Sequence, residues 1–334
     1  MRRTGRVTIS SGWRGRARCA AALVLLAAVV ATRGAQGAEL RVEFASLAAG
    51  RAAITADDTF TRALSRFDLQ SRLQTDRPVT LEEWKAFAAG HVRAWEPEPQ
   101  AKVEAALARL GPRLKDFRLP LPEPIVLVRT TGGEEGQAAY TRGAAIFLPD
   151  KVLAMSDSAL DRLLAHELFH LVSRHDAALR AKLYRLIGFE PHEPIELPGA
   201  LAPRKITNPD SPLIDCSIDL PGEQGRTITA APVLFASAET YDPRRGGSLF
   251  QYLTFRLLVL ERVGTRWQPL LVEGQPRLLD PQNDEAYFAR IGRNTRYIIH
   301  PEEILADNFA LLVMGERDVK TPRVLEGLQA VLAH

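Results

Sequence analysis

Cysteine is nearly absent: the 334 residues hold two, Cys19 and Cys216. Cys19 precedes an apolar run near the N-terminus, badly placed for a lipid-attached mature end and lost if that run is a cleaved leader. The one thiol left over cannot close an intramolecular disulfide, which excludes a disulfide-built scaffold. A second long apolar run is missing too. Past Ala31 no stretch reaches the ~20 residues of a membrane-spanning helix, so a polytopic membrane protein is excluded. A basic surplus is lacking where it would count: without residues 1–37, which carry seven arginines and no acid, the formal +3 becomes −4. A mature chain of that charge offers no footprint for nucleic acid. Internal repeats are absent as well.

What the N-terminus does contain is a leader pattern. Arg2, Arg3, Arg6, Arg14, Arg16 and Arg18 precede the apolar stretch Ala20 to Ala31, which is short for a bilayer span. Ala35-Gln36-Gly37 then supplies small residues at −3 and −1. The expectation is a signal peptide over 1–37, cleaved after Gly37 with Ala38 as second choice, and an exported protein, periplasmic or secreted. The alternative is an uncleaved anchor. With the signal removed, no membrane partner is expected.

The feature that points to chemistry is His166-Glu167-Leu168-Phe169-His170, an H-E-x-x-H pattern. Ser156-Asp157-Ser158 offers capping residues ahead of it, and Leu160, Leu163, Leu164, Leu168, Leu171 and Val172 recur at helical spacing. On a helix, residues i and i+4 share a face, so both imidazoles reach one point and Glu167 lies about 100° round. Two neutral imidazoles hold a zinc ion, the zinc acidifies water, and the carboxylate takes the proton. The bland alternative is a buried helix with two hydrogen-bonded histidines.

Around this helix the sequence predicts an α+β, zincin-like architecture. It comprises an N-terminal helical region over 38–118, a short antiparallel or mixed sheet, the active-site helix and a mainly helical C-terminal lobe. The last three form one catalytic domain over 119–334. Asp57 or Asp58 caps a helix carrying Phe60, Leu64, Phe67 and Leu73. Thr80-Leu81-Glu82-Glu83 is a capping box for a second helix, reaching about Trp95, and Gln100 to Leu110 makes a third, closed by Gly111. His91 reads as a surface or packed residue. Leu119 to Pro124 is a stiff linker, followed by extended pieces at 125–128, 138–141 and 145–148. An edge strand there would pair with extended peptide by strand addition. Residues 190–242 read as a wandering insert with short strands near 226–229 and 233–235. Ser248 to Arg262 is predicted helical, with Gly246-Gly247 ahead of it as a weak anion cradle.

A catalytic zinc takes three protein ligands. His175 and Asp176 follow closely, but on an unbroken helix running to Tyr184 a residue six past His170 lies about 9 Å along the axis. A second helix begins at His300-Pro301-Glu302-Glu303, with Glu303 and Asp307 four apart on one side. Taken with the H-E-x-x-H helix, this resembles the gluzincin, or thermolysin-like, zinc peptidases. The resemblance covers only the segments around 166–170 and 300–310. It implies one Zn2+, Glu303 as third ligand, and Asp307 as hydrogen-bond acceptor for a ligand histidine, His166. Glu302 and Asp176 stay open as alternative ligands.

The expected reaction is hydrolysis of a peptide or protein substrate, with Glu167 as general base and Tyr297 or His300 as donor to the oxyanion. Tyr140 and Arg142 are weaker candidates for holding substrate. Two rivals remain: a secreted zinc-binding or interaction module without catalysis, and a zinc hydrolase of another amide or ester bond.

Overall fold

The computed structural model describes residues 40–333, so the leader expected at 1–37 lies outside them. The fold is mixed α+β. The N-terminal region opens with a strand, β1 (Val42–Phe44), and continues through α1 (Leu47–Ile54), α2 (Thr59–Ala63), α3 (Arg66–Leu73), α4 (Leu81–His91) and α5 (Pro97–Leu114). The single helix expected over Phe60–Leu73 is two. Leu64 is extended at φ −60, ψ 127, and Ser65 caps α3 afresh in a capping box with Asp68. The Thr80 box does open α4, but the helix ends at His91. Gly111 does not close α5, which runs on to Leu114 with Pro112 inside it.

After the linker come β2 (Ile125–Thr130), β3 (Tyr140–Arg142), β4 (Ala145–Pro149), α6 (Asp150–Leu153), α7 (Asp157–His175) and α8 (Ala177–Leu186). The first sheet has the order β1-β2-β4-β3, parallel across β1, β2 and β4, with β3 antiparallel on the edge. Strand β1 therefore ties the N-terminal region to the sheet, which is why that region is not a purely helical prefix. Apolar side chains on β2 and β4 (Leu127, Ile146, Leu148) pack with Leu164, Leu168 and Phe169 of α7 in the main core.

Residues 189–279 depart most from expectation. They form β5 (Phe189–Ile195), β6 (Ile214–Pro221), β7 (Thr227–Ala236), β8 (Leu253–Val263), β9 (Arg266–Pro269), β10 (Leu271–Val272), β11 (Gln275–Pro276) and β12 (Leu278–Leu279). The order β12-β8-β7-β6-β5 is antiparallel throughout, with β9 also on β8. The helix predicted over 248–262 is thus a strand. Leu257, Leu258, Val259 and Leu260 are buried on both faces, and such a continuous apolar run satisfies the helical and the extended period alike. Only a single 3-10 turn, Leu249–Gln251, follows Gly246-Gly247, so the helix N-terminus expected there is not formed. The C-terminal lobe is half sheet; its helices are α9 (Glu285–Ile291), α10 (Pro301–Met314) and α11 (Pro322–Leu332). Among the described residues no helix is long and apolar enough to cross a membrane.

Candidate metal centre

Helices α7 and α10 lie against each other through Phe169 and Phe309, whose ring centroids are 5.8 Å apart. Ser156 caps α7 by accepting from the Ala159 amide, and Asp157 sits in its first turn. Helix α10 starts with Pro301 and stops at Gly315, whose left-handed φ of 77° favours glycine.

His166, His170 and Glu303 each bring a ligand-type atom within 4.8 Å of the other two. The Nε2 atoms of His166 and His170 lie 3.2 and 3.7 Å from Glu303 Oε2. The rings stand at 84° with centroids 4.7 Å apart. Each histidine has a separate carboxylate on its other nitrogen. His166 Nδ1–H donates to Asp307 Oδ1 at 3.0 Å, and His170 Nδ1–H donates to Glu302 Oε1 at 3.0 Å. Glu302 also accepts from the Tyr184 hydroxyl at 2.7 Å and from Ser173. It is a partner of His170 here, not a member of the converging set.

The charges fit this arrangement. Burial works against ionised Glu303, but His170, His166 and the 2.5 Å hydrogen bond from Asn208 Nδ2 pull its carboxyl down to about 2. Burial likewise opposes charge on His170, yet Asp210 and Glu303 raise it to about 9. His166 is raised as well, against burial, by Asp307 and Glu303. Glu167 is pushed up to about 8, by burial first and then by the Asp210 charge. Glu167 Oε2 and His170 Nε2 are buried with no hydrogen-bond partner, an expensive condition for polar atoms.

The remaining sequence candidates sit elsewhere. Helix α7 breaks before Asp176, which caps α8 by accepting from the Leu179 amide at 2.9 Å, so the continuous helix expected there is interrupted. His175 Nδ1 bonds Leu171 O at 2.7 Å. His300 caps α10: its Nδ1 accepts from the Glu302 amide at 3.2 Å, and its Nε2 is 3.5 Å from Cys216 Sγ. Both ring nitrogens are engaged, so the donor role expected of His300 has no free N–H behind it. Tyr297 is 40% exposed as a residue. Burial around its hydroxyl, then the charges of Glu303, Asp210, Glu167 and Asp307, push that phenol well above the usual tyrosine range. Tyr140 stacks on Phe147, and Arg142 pairs with Asp58 at 2.8 Å; both side chains are structural. His91 packs on Phe87 and bonds Thr131.

Residues 130–178 match the family model of the eCIS core domain. That eCIS-like segment spans β3, β4, α6 and α7, and so carries the edge strand and the H-E-x-x-H helix together. It stops far short of Glu303 and Asp307. No curated protein and no solved structure matches the chain.

Residues 208–210 had no signal in the sequence. Asn208 and Asp210 belong to a proline-rich irregular stretch, and only the fold brings them to Glu303 and to Glu167 and His170.

Proposed function

We propose that the chain is an exported, zinc-dependent metallopeptidase with a zincin-like, gluzincin-type site, holding one Zn2+ by His166, His170 and Glu303. The observation that carries this reading is the convergence of two Nε2 atoms on one Glu303 oxygen, each imidazole being held from behind by its own carboxylate. The donor set fits the ion. Two imidazoles and a carboxylate suit zinc, the outer carboxylates leave the Nε2 lone pairs facing inward, and the partnerless His170 Nε2 gains its missing contact. Bound there, zinc would polarise the substrate carbonyl and make water acidic near neutral pH.

The chain's own residues do the rest. Glu167 takes the proton of the attacking water and returns it to the departing amine; its Oε2 is buried and has no hydrogen-bond partner of its own. The Tyr297 hydroxyl donates to the carbonyl oxygen as charge develops on it. An extended peptide or protein substrate would align along the edge strand β3, by strand addition once its outward backbone groups are free. The leader pattern over 1–37 supports export to the periplasm or medium, and the acidic mature charge supports a role without nucleic acid.

Metal analysis of the purified protein should give about one zinc per chain, falling to near none in Glu303→Ala. Zinc retained in that variant but lost in Asp176→Ala would move the third ligand. If zinc binds but no chelator-sensitive cleavage occurs across a broad peptide library, the non-catalytic module becomes the better reading.

A further inference from the structure

Strand β3 is three residues long, and its pairing with β4 leaves only Thr141 with both backbone groups turned outward. A peptide adding to this edge would need that N–H and that C=O. Both are already taken. Asp210 Oδ1 accepts from Thr141 N at 2.7 Å and from its hydroxyl at 2.8 Å. Arg174 Nη2 donates to Thr141 O at 3.3 Å and to the backbone oxygen of Asp210 at 3.2 Å, while its Nη1 meets the Thr141 hydroxyl at 2.8 Å.

The same stretch reaches the metal cluster. Asn208 Nδ2 donates to Glu303 Oε1 at 2.5 Å, and Asp210 places a carboxylate oxygen within 4.8 Å of ligand-type atoms of Glu167 and His170. Two buried acids, Glu167 and Glu303, and the half-buried Asp210 thus lie beside His170 together with its Nδ1 partner Glu302, a costly grouping unless a cation or proton is shared among them.

The segment is pinned at one end by a buried ion-pair network. Thr207 is fixed by Asp68, which accepts from its amide at 3.0 Å and its hydroxyl at 2.7 Å, and by Arg72, whose side chain is fully buried. Ile214 enters β6 at the other end. Between them the chain has no regular structure, and cavities of about 50 and 170 Å³ flank it. One touches Tyr140, Pro209 and Tyr297; the other touches Arg174, Arg180 and Glu302. Asn208–Leu213 is thus held in place by side-chain bonds to Glu303, Thr141 and Arg174 and not by helix or sheet pairing.

We propose that Asn208–Asp210 is an internal plug: it occupies the peptide-binding edge of β3 and sets the Asp210 carboxylate at the metal centre as a competing ligand, so that the enzyme as folded is latent. The inference rests on the peptidase reading above. Activation then consists of lifting residues 208–213, which frees the Thr141 edge and the metal's open position in one movement.

The test compares wild type with Asp210→Ala and Asp210→Asn in three measurements. These are exchange of the Thr141 amide by NMR, the visible spectrum of the Co2+-loaded protein, and affinity for a leucine–alanine hydroxamate. In Asp210→Ala, Thr141 exchange and hydroxamate affinity should each rise about tenfold or more, the worth of one charge-assisted hydrogen bond, and the Co2+ bands should move. Asp210→Asn keeps an acceptor for Thr141. It should retain amide protection while still shifting the Co2+ bands, so the proposal stays testable if the alanine variant folds poorly. Weaker or unchanged hydroxamate binding in both variants, with Co2+ bound normally, overturns the plug alone. Failure of wild type to bind Co2+ or Zn2+ overturns the peptidase reading, and the latency with it.

Discussion

The two carboxylates behind the histidines differ in burial, and that difference should separate metal affinity from stability. Asp307 accepts from His166 and Thr295, and its side chain is 23% exposed, so water can replace it. Glu302 is buried and accepts from His170, Ser173 and Tyr184. In Asp307→Ala, His166 loses the acceptor that fixes its tautomer. Zinc affinity should fall roughly 10–100-fold, or about 1.4–2.7 kcal/mol. Stability without metal should barely change. In Glu302→Ala the same penalty falls on His170, and the buried Tyr184 hydroxyl is also stranded at about 1–3 kcal/mol, while Ser173 keeps only its bond to the His170 carbonyl. The melting temperature of the metal-free protein should then drop on the order of 10 °C. Competition against a chromophoric chelator gives the first quantity and thermal denaturation in EDTA the second. Zinc affinity in Asp307→Ala within twofold of wild type would refute the orienting role. An unchanged melting temperature in Glu302→Ala would refute the assignment of a buried, fully satisfied network.

Glu167→Gln keeps the side-chain shape but cannot take a proton, so zinc content should hold while chelator-sensitive hydrolysis falls by ~100-fold or more; comparable activity would remove Glu167 as base. In the metal-free protein, Glu167 near 8 and His170 near 9 both bind their proton more tightly folded than unfolded, where the values are about 4.3 and 6.5. Stability is therefore lost as pH rises, from about 4.3 to 8 for the first group and about 6.5 to 9 for the second. Melting in EDTA should fall between pH 6 and 9.5, whereas zinc, which needs deprotonated imidazoles, should reverse the trend; a flat profile in EDTA would contradict the buried cluster. Tyr297→Phe should lower kcat roughly 100–1,000-fold with little change in zinc affinity, the range set by loss of one oxyanion donor. His300→Ala removes the α10 cap and should cost about 1 kcal/mol of stability instead, read by denaturant unfolding.

The parts of this protein legible from sequence are those set by short-range geometry. The i, i+4 pair of histidines on α7, the Glu303–Asp307 spacing on α10, the Thr80 capping box and the extended pieces at 125–148 each follow from one local periodicity. Residues 248–262 failed because an apolar run long enough for either period is decided by its neighbours: pairing with β7 made Leu253–Val263 a strand. Single residues such as Leu64 and Asp176 broke two expected helices because capping by Ser65 and by Asp176 itself competes locally with propagation. Only the tertiary structure could bring Asn208 and Asp210, in a stretch without periodicity, against Glu303, Glu167 and Thr141. It alone assigned Glu302 to His170 and turned His300 towards Cys216, since such choices depend on how two helices are phased across a shared core. Sequence spacing states which residues share a face; packing between elements decides what that face meets.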